Sequence, residues 1–364
     1  MKSAIARKPV RSIVSSMSTF RHGQKAGLPF KLKFESSSVC NLKCGMCPLN
    51  SGLKRKQGFL KFDNFKKVFD QIKPAYLNLT GIGEPFLNPD IFDIIKYAKK
   101  NKAMVKFDTN AMLLNEENIT KILETGVDVL SISIDGTTKK SYEQIRVGGN
   151  FDTVRQNVKR LVEERNKVNS STEVHMFFVL QAKNIQELPN FVKLADELGV
   201  NYVAGSFVVN LGDNKNEKNK IFDYKEKVDE LVRETEEAVK NAKAKVSIEP
   251  LLEYIKSSGS KEFYNEDMPC FMPWYSVFIT WDGWVNPCDF SCDNEIVFGN
   301  VFEKPFKEIW NNEKLKNFRI QLLNSRKEIP LCKNCGVNES YIEDEFKKIR
   351  KIPFLKRLQN NKNS

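Results

Sequence analysis

From Lys31 to Phe207 the chain alternates short strand-like runs with longer helix-like ones, and this rhythm limits the folds open to it. The strand candidates are KLKFES (31–36), AYLNLTG (75–81), MVKFDTN (104–110), VDVLSISID (127–135), VHMFFVLQ (174–181) and NYVAGSF (201–207). They are short and rich in β-branched and aromatic residues. Between them, stretches such as NPDIFDIIKYAKKN and NIQELPNFVKLADELG place apolar residues at three- and four-residue steps. Asn or Asp stands near the start of such stretches, and Gly follows NIQELPNFVKLADEL. Strands alternating with helices imply a parallel sheet joined by right-handed crossovers. Six units are fewer than the eight of a closed barrel, so the expectation is an α/β fold, a partial (β/α)6 TIM-like barrel. Its functional groups should gather at the C-terminal ends of the strands.

Around this barrel the sequence predicts four further segments: a basic extension over 1–30, a charged helical linker over 211–265, a small Cys-rich domain over 266–345 and a basic tail over 346–364. The net charge of +12 belongs to the two ends. Lys2, Arg7, Lys8, Arg11, Arg21 and Lys25 come with no acid in 1–30, and Lys347, Lys348, Arg350, Lys351, Lys356, Arg357 and Lys362 with none in 346–364. The body between is close to neutral, which argues against a nucleic-acid-binding surface on the folded core. An RNA-binding or RNA-modifying role through the basic tails stays as an alternative. In the C-terminal tail Phe346, Ile349, Ile352, Leu355 and Leu358 recur at helical steps among basic residues, a pattern suited to an anionic membrane surface. No secretory signal and no spanning run is visible, so the expected location is cytoplasmic, with peripheral contact on the inner membrane face.

The chain has 8 cysteines and only 2 histidines, His22 and His175. In a reducing compartment clustered cysteines more often bind metal than form disulfides. With histidine this scarce, any general base must come from Asp, Glu, Lys, Tyr or Arg at the barrel mouth. Cys40, Cys44 and Cys47 fall directly after the first strand, spaced by three residues and then two. A structural zinc site uses four ligands. Three thiolates instead suit a cubane iron–sulfur cluster that leaves one iron open.

That CxxxCxxC arrangement resembles the radical S-adenosylmethionine (SAM) superfamily, whose signature lies on the loop after strand one. The resemblance covers residues 31–210. Gly81-Ile82-Gly83-Glu84-Pro85 looks like the family's glycine–glutamate–proline motif for the SAM amino group, with Ile82 where relatives often have Gly. Asn110 ends strand three and Ser133 ends strand four, where relatives approach the methionine moiety and the ribose. Arg146 stands where relatives often hold a basic group near the SAM carboxylate. The resemblance implies that SAM chelates the open iron, that one electron cleaves its C–S bond, and that the resulting 5′-deoxyadenosyl radical takes a hydrogen atom from substrate. It also implies an electron donor such as flavodoxin or ferredoxin.

In the C-terminal segment Gly283 stands between Cys270 and Cys288, and Cys332-x-x-Cys335 follows. This resembles the SPASM/twitch extension of radical SAM enzymes, pattern CX9–15GX4C followed by CxxC. It implies a second, auxiliary 4Fe–4S cluster on Cys270, Cys288, Cys332 and Cys335, with Cys292 left over as a packed or surface thiol or, alternatively, a further ligand. Four thiolates also suit zinc. In relatives a fully ligated auxiliary cluster accepts the electron left on a substrate radical. The expected reaction is therefore oxidation of a small-molecule, saccharide or lipid-linked substrate, because 30 residues before the barrel are too few for a peptide-leader-binding domain. The alternative is a maturase acting on a ribosomally made peptide or protein.

Overall fold

The computed structural model describes residues 26–207, 228–256, 270–333 and 335. Both basic tails lie outside these residues, and the membrane and nucleic-acid expectations that rest on them lie outside with them. No helix among the described residues is long and apolar enough to cross a membrane.

All six expected strands form, as β1 (Lys31–Phe34), β2 (Tyr76–Asn78), β3 (Met104–Thr109), β4 (Val129–Ser133), β5 (Glu173–Leu180) and β6 (Tyr202–Phe207). Each pairs in parallel with the next. The helices between them follow from local sequence. Phe62–Ile72 buries Phe65, Val68, Phe69 and Ile72, one stripe at helical spacing. Glu116–Thr125 starts where the Asn115 side chain accepts from Asn118 N–H, and stops at Gly126, whose φ of 66° completes a left-handed cap.

The sheet extends beyond six strands at both edges. In the segment read as a charged linker, the helix Val228–Asn241 leads to β7 (Lys245–Ser247), which pairs in parallel with β6. At the other edge β8 (Ser276–Ile279), from the Cys-rich segment, pairs in parallel with β1 in the register Lys31↔Ser276 to Phe34↔Ile279. β9 (Val285–Asn286) then folds back antiparallel on β8. The resulting order is β7-β6-β5-β4-β3-β2-β1-β8-β9. The Cys-rich segment is therefore built onto the barrel sheet by backbone hydrogen bonds.

Burial alternates along β5, with Val174, Met176, Phe178 and Leu180 buried and the residues between them less so. Aliphatic and aromatic side chains fill the space between sheet and helices. On β1 and β3 the alternate positions carry Lys33, Lys106 and Asp108, and Lys33 Nζ reaches Asp289 Oδ2 at 2.5 Å, beside Cys288.

Candidate cluster and cofactor site

The loop after β1 is held rigidly before its first cysteine. Glu35, Ser36, Ser37 and Ser38 are all buried. The Gly83 and Glu84 N–H groups donate to the Ser37 and Val39 carbonyls at 3.0 and 2.8 Å, so the turn after β2 is stitched to the base of the cysteine loop. Gly83 is required there: a Cβ would lie 2.5 Å from the Val39 carbonyl oxygen and 2.7 Å from that of Ser37. Farther along, Lys43 N–H donates to the Val147 carbonyl at 2.8 Å, and Cys47 N–H to the Cys44 carbonyl at 3.1 Å.

Burial pushes all three thiols up, Cys44 to about 11, and nearby cysteines add to this by like-charge repulsion at Cys44 and Cys47. Arg146 opposes the rise at each of them. Ligation needs thiolates. One buried and two half-buried thiols sharing one guanidinium lack enough positive charge to ionise together, and a cationic iron centre supplies what is missing. The donor set thus fits a cluster. Among the described residues, no three His, Cys, Asp or Glu side chains gather closely enough to hold a single metal ion. Tetrahedral zinc would draw its thiolates to about 3.8 Å from one another, given Zn–S bonds of ~2.3 Å.

The residues assigned to SAM at the sequence level fall in one neighbourhood at the strand ends. Glu84 is buried, and its carboxylate is already engaged: Oε1 accepts from Thr109 Oγ1 at 2.8 Å and Phe86 N–H at 3.2 Å, and Oε2 from Asn110 N–H at 2.8 Å. It clamps the end of β2 to the end of β3. Gly81 packs on Glu35, and Pro85 opens the short helical turn Pro85–Leu87. Asn110 Nδ2 donates to Asn41 Oδ1 at 2.8 Å and lies 3.9 Å from Cys40 Sγ, joining β3 to the cysteine loop. Ser133 closes β4. Arg146 is pinned by a buried Asp135 through two contacts of 2.7 Å, and Asp135 Oδ1 accepts from Val179 N–H on β5 at 2.8 Å. The pairing keeps the Arg146 guanidinium charged and fixes it close to all three cysteines.

The C-terminal cysteines are delivered by a hairpin. Gly283 adopts φ of 93° in the turn between β8 and β9, where a Cβ would meet Asn300 Oδ1 at 2.5 Å. After β9 come Cys288, Asp289 and then Cys292. Cys270 feels the charge of Cys335, Cys288 that of Cys270 and Cys335, and Cys332 that of Cys270 and Cys335, so the four act on one another. Burial pushes Cys270 up to about 11 and Cys332 to about 12, and Arg326 opposes both rises. This set fits a cluster on the same grounds as the first. Cys292 stands apart: it is buried, pushed up to about 12, and its charged neighbours are Glu295, Arg55, Asp293 and Glu35.

The cysteine loop and the C-terminal hairpin meet at a junction that the sequence did not reveal. Glu35 Oε1 accepts from Arg55 Nη2 at 2.6 Å and from Ile82 N–H at 3.2 Å, while Oε2 accepts from Trp281 N–H at 3.2 Å. Arg55 Nε donates to the Cys292 carbonyl, and Asp293 accepts the Lys54 and Arg55 N–H groups at 2.8–3.1 Å. Trp281 lies over Gly58, where a Cβ would be 2.5 Å from its ring. One buried carboxylate therefore joins the cysteine loop, the turn after β2 and the C-terminal hairpin. Gly58, free of a side chain, leaves the room that the Trp281 ring occupies.

Comparison with known proteins agrees with this geometry. Residues 34–195 match the family model described as the radical SAM superfamily, and residues 270–336 that of an iron–sulfur cluster-binding domain, SPASM. The chain is 26% identical over 330 residues to the tungsten-containing aldehyde ferredoxin oxidoreductase cofactor-modifying protein of Pyrococcus furiosus, covering 85% of this chain and 88% of that protein. It is 30% identical over 174 residues to the mycofactocin maturase of Mycobacterium tuberculosis, covering 47% of this chain and 43% of that protein. Among solved structures, Streptococcus suis SuiB bound to S-adenosylmethionine shares the fold with a TM-score of 0.65 at 18% identity, covering 90% of this chain and 76% of that chain. SuiB has also been solved bound to the precursor peptide SuiA. The two domains imply 4Fe–4S clusters and S-adenosylmethionine as cofactors. The chain belongs to the radical SAM superfamily and is an enzyme of that family with a C-terminal SPASM domain.

Proposed function

We propose that this enzyme is a maturase that modifies a ribosomally made peptide or protein, with an auxiliary cluster accepting the electron left on the substrate. The observation that carries the reading is the 30% identity to a mycofactocin maturase, the highest identity among the relatives described above. In this reading Cys40, Cys44 and Cys47 hold the first cluster, and Gly81, Gly83, Glu84, Pro85, Asn110, Ser133 and Arg146 form the SAM pocket. Cys270, Cys288, Cys332 and Cys335 hold the second cluster. When bound, the first cluster and SAM supply reductive C–S cleavage and hydrogen-atom abstraction. The chain's own residues do the rest. The stitched loops tie the cysteine loop to the strand ends, Arg146 offers a fixed cation for an anionic group, and the Glu35–Arg55 junction holds the cysteine loop against the C-terminal hairpin. An electron donor such as flavodoxin or ferredoxin completes the system.

A second reading, oxidation of a small molecule, retains one specific support. A relative aligned with 85% of this chain is named for modifying a cofactor. The two separate by protease sensitivity. Reconstituted enzyme with SAM and dithionite is given the macromolecular fraction of a lysate from the source organism, and 5′-deoxyadenosine release is followed. Stimulation that disappears after the fraction is digested with protease supports the maturase. Stimulation by the small-molecule fraction alone overturns it.

A further inference from the structure

Tyr142 lies on the helix Lys139–Ile145 and is completely buried, yet its hydroxyl has no hydrogen-bond partner among the described residues. Native proteins rarely leave a buried hydroxyl unpaired, and an isolated instance points to a missing group. The ring cannot easily turn away. It packs on Phe151 with centroids 5.4 Å apart, and Gly149 approaches so closely that a Cβ there would lie 2.9 Å from Cε1 and 3.2 Å from the hydroxyl oxygen. The same segment, 146–149, is the one laid against the cysteine loop: Val147 accepts from Lys43 N–H, and a Cβ on Gly148 would be 3.7 Å from the Asn41 carbonyl oxygen. The charged neighbours of Tyr142 are Arg146, Asp135, Cys44 and Glu143. Arg146 is a donor only, both Asp135 oxygens already accept, from Arg146 and from Val179 N–H, and Glu143 Oε1 accepts from Phe151 N–H at 3.3 Å. Cys44 is the remaining direction.

We infer that Tyr142 donates an O–H···S hydrogen bond to a sulfur of the cluster held at Cys44, and so acts as a positioning residue that sets the reducibility of that cluster. The inference rests on the proposed assignment of Cys40, Cys44 and Cys47 as cluster ligands. A hydrogen bond to a cluster sulfur stabilises the reduced, more negative form and raises the potential. Phe at this position would fill the same space without leaving a buried hydroxyl unpaired.

The test is Tyr142→Phe in the full chain, reconstituted anaerobically, with iron content and the midpoint potential of the first cluster as readouts. The signal of that cluster is singled out by its change in the electron paramagnetic resonance spectrum on adding SAM. The expected result is full iron content and a more negative potential, corresponding to roughly a tenfold loss in the reduction equilibrium, ~59 mV for one electron. Gly149→Ala, which crowds the ring from the other side, should shift the potential in the same direction. An unchanged potential in Tyr142→Phe with iron retained overturns the inference, as does an unchanged potential with weakened SAM binding, which would give the hydroxyl to SAM instead. Retention of full iron by a Cys40/Cys44/Cys47→Ala triple variant overturns the ligand assignment and the inference together. Loss of iron in the triple variant with no shift in Tyr142→Phe sinks this inference alone.

Discussion

Glu35 and Arg55 meet at 2.6 Å with both side chains almost fully buried, in the seam between the barrel and the Cys-rich segment. Burial pushes the Glu35 carboxyl up, and Arg55 is the largest influence pulling it back. Removing one member of such a pair strands the other charge. Arg55→Met should therefore lower stability by about 3–5 kcal/mol, read by anaerobic urea denaturation. The double variant Glu35→Gln/Arg55→Met should lose less than the sum of its two single changes. A loss below about 1 kcal/mol for Arg55→Met, the scale of an exposed pair, would show that the seam does not depend on it.

Gly83→Ala drives a methyl group into the backbone at Val39 and Ser37, neither of which can rotate aside. Overpacking of this kind costs about 1–3 kcal/mol. Because the displaced backbone carries the cysteine loop, the variant should also lose SAM cleavage out of proportion to its stability. Wild-type cleavage in a destabilised Gly83→Ala protein would separate the turn from the site.

Glu84 gives a pH prediction. Burial raises its carboxyl from 4.5 to about 7, despite the hydrogen bonds from Asn110, Thr109 and Phe86. The folded state then holds a proton that the unfolded state has released, so stability falls as pH rises from about 4.5 through about 7. The shift is worth about 3 kcal/mol. Glu84→Gln should lack this slope. Parallel stability–pH curves for the two proteins would contradict the assignment.

The two cysteine sets predict a divided phenotype. Reconstituted enzyme should hold about eight irons, two cubane clusters. The Cys40/Cys44/Cys47→Ala triple variant should hold about four irons and release no 5′-deoxyadenosine. Replacing Cys332 and Cys335 should remove the other cluster and substrate turnover, while dithionite-driven SAM cleavage survives. Cys292→Ala, whose thiol sits among Arg55, Glu35, Asp293 and Glu295, should keep its full iron. Zinc in place of iron at the C-terminal set would remove the electron-acceptor role.

What could be read in advance was local. The six strands β1 to β6 showed themselves because each is a short apolar run bounded by an amphipathic helix, and both cysteine patterns showed themselves because spacing is a sequence property. Strand β7 is three residues following a charged helix, too short for alternation to register. The run Ser276–Ile279 reads as a strand, but its pairing with β1 is a contact across some 245 positions that no local pattern encodes. The same holds for Glu35 with Trp281, and for the unpaired hydroxyl of Tyr142, which is visible only once everything around it is in place. The Gly81–Pro85 run could be picked out in the sequence, but not the role of Glu84 as a clamp between strand ends.

The parallel pairing of β8 on β1 has a further consequence. A parallel strand at the margin of a sheet offers a row of open N–H and C=O groups to any passing chain. In this protein the first strand of the barrel never faces that hazard, because the last third of the sequence returns to cover it. The barrel cannot then be treated as a self-sufficient module that gained an accessory. A fragment ending before residue 270 would expose Lys31–Phe34 as a template for self-association, and a graft from another enzyme would be tolerated only if it brought its own strand in this register. The appended segment thus closes the barrel's first edge as well as carrying cysteines.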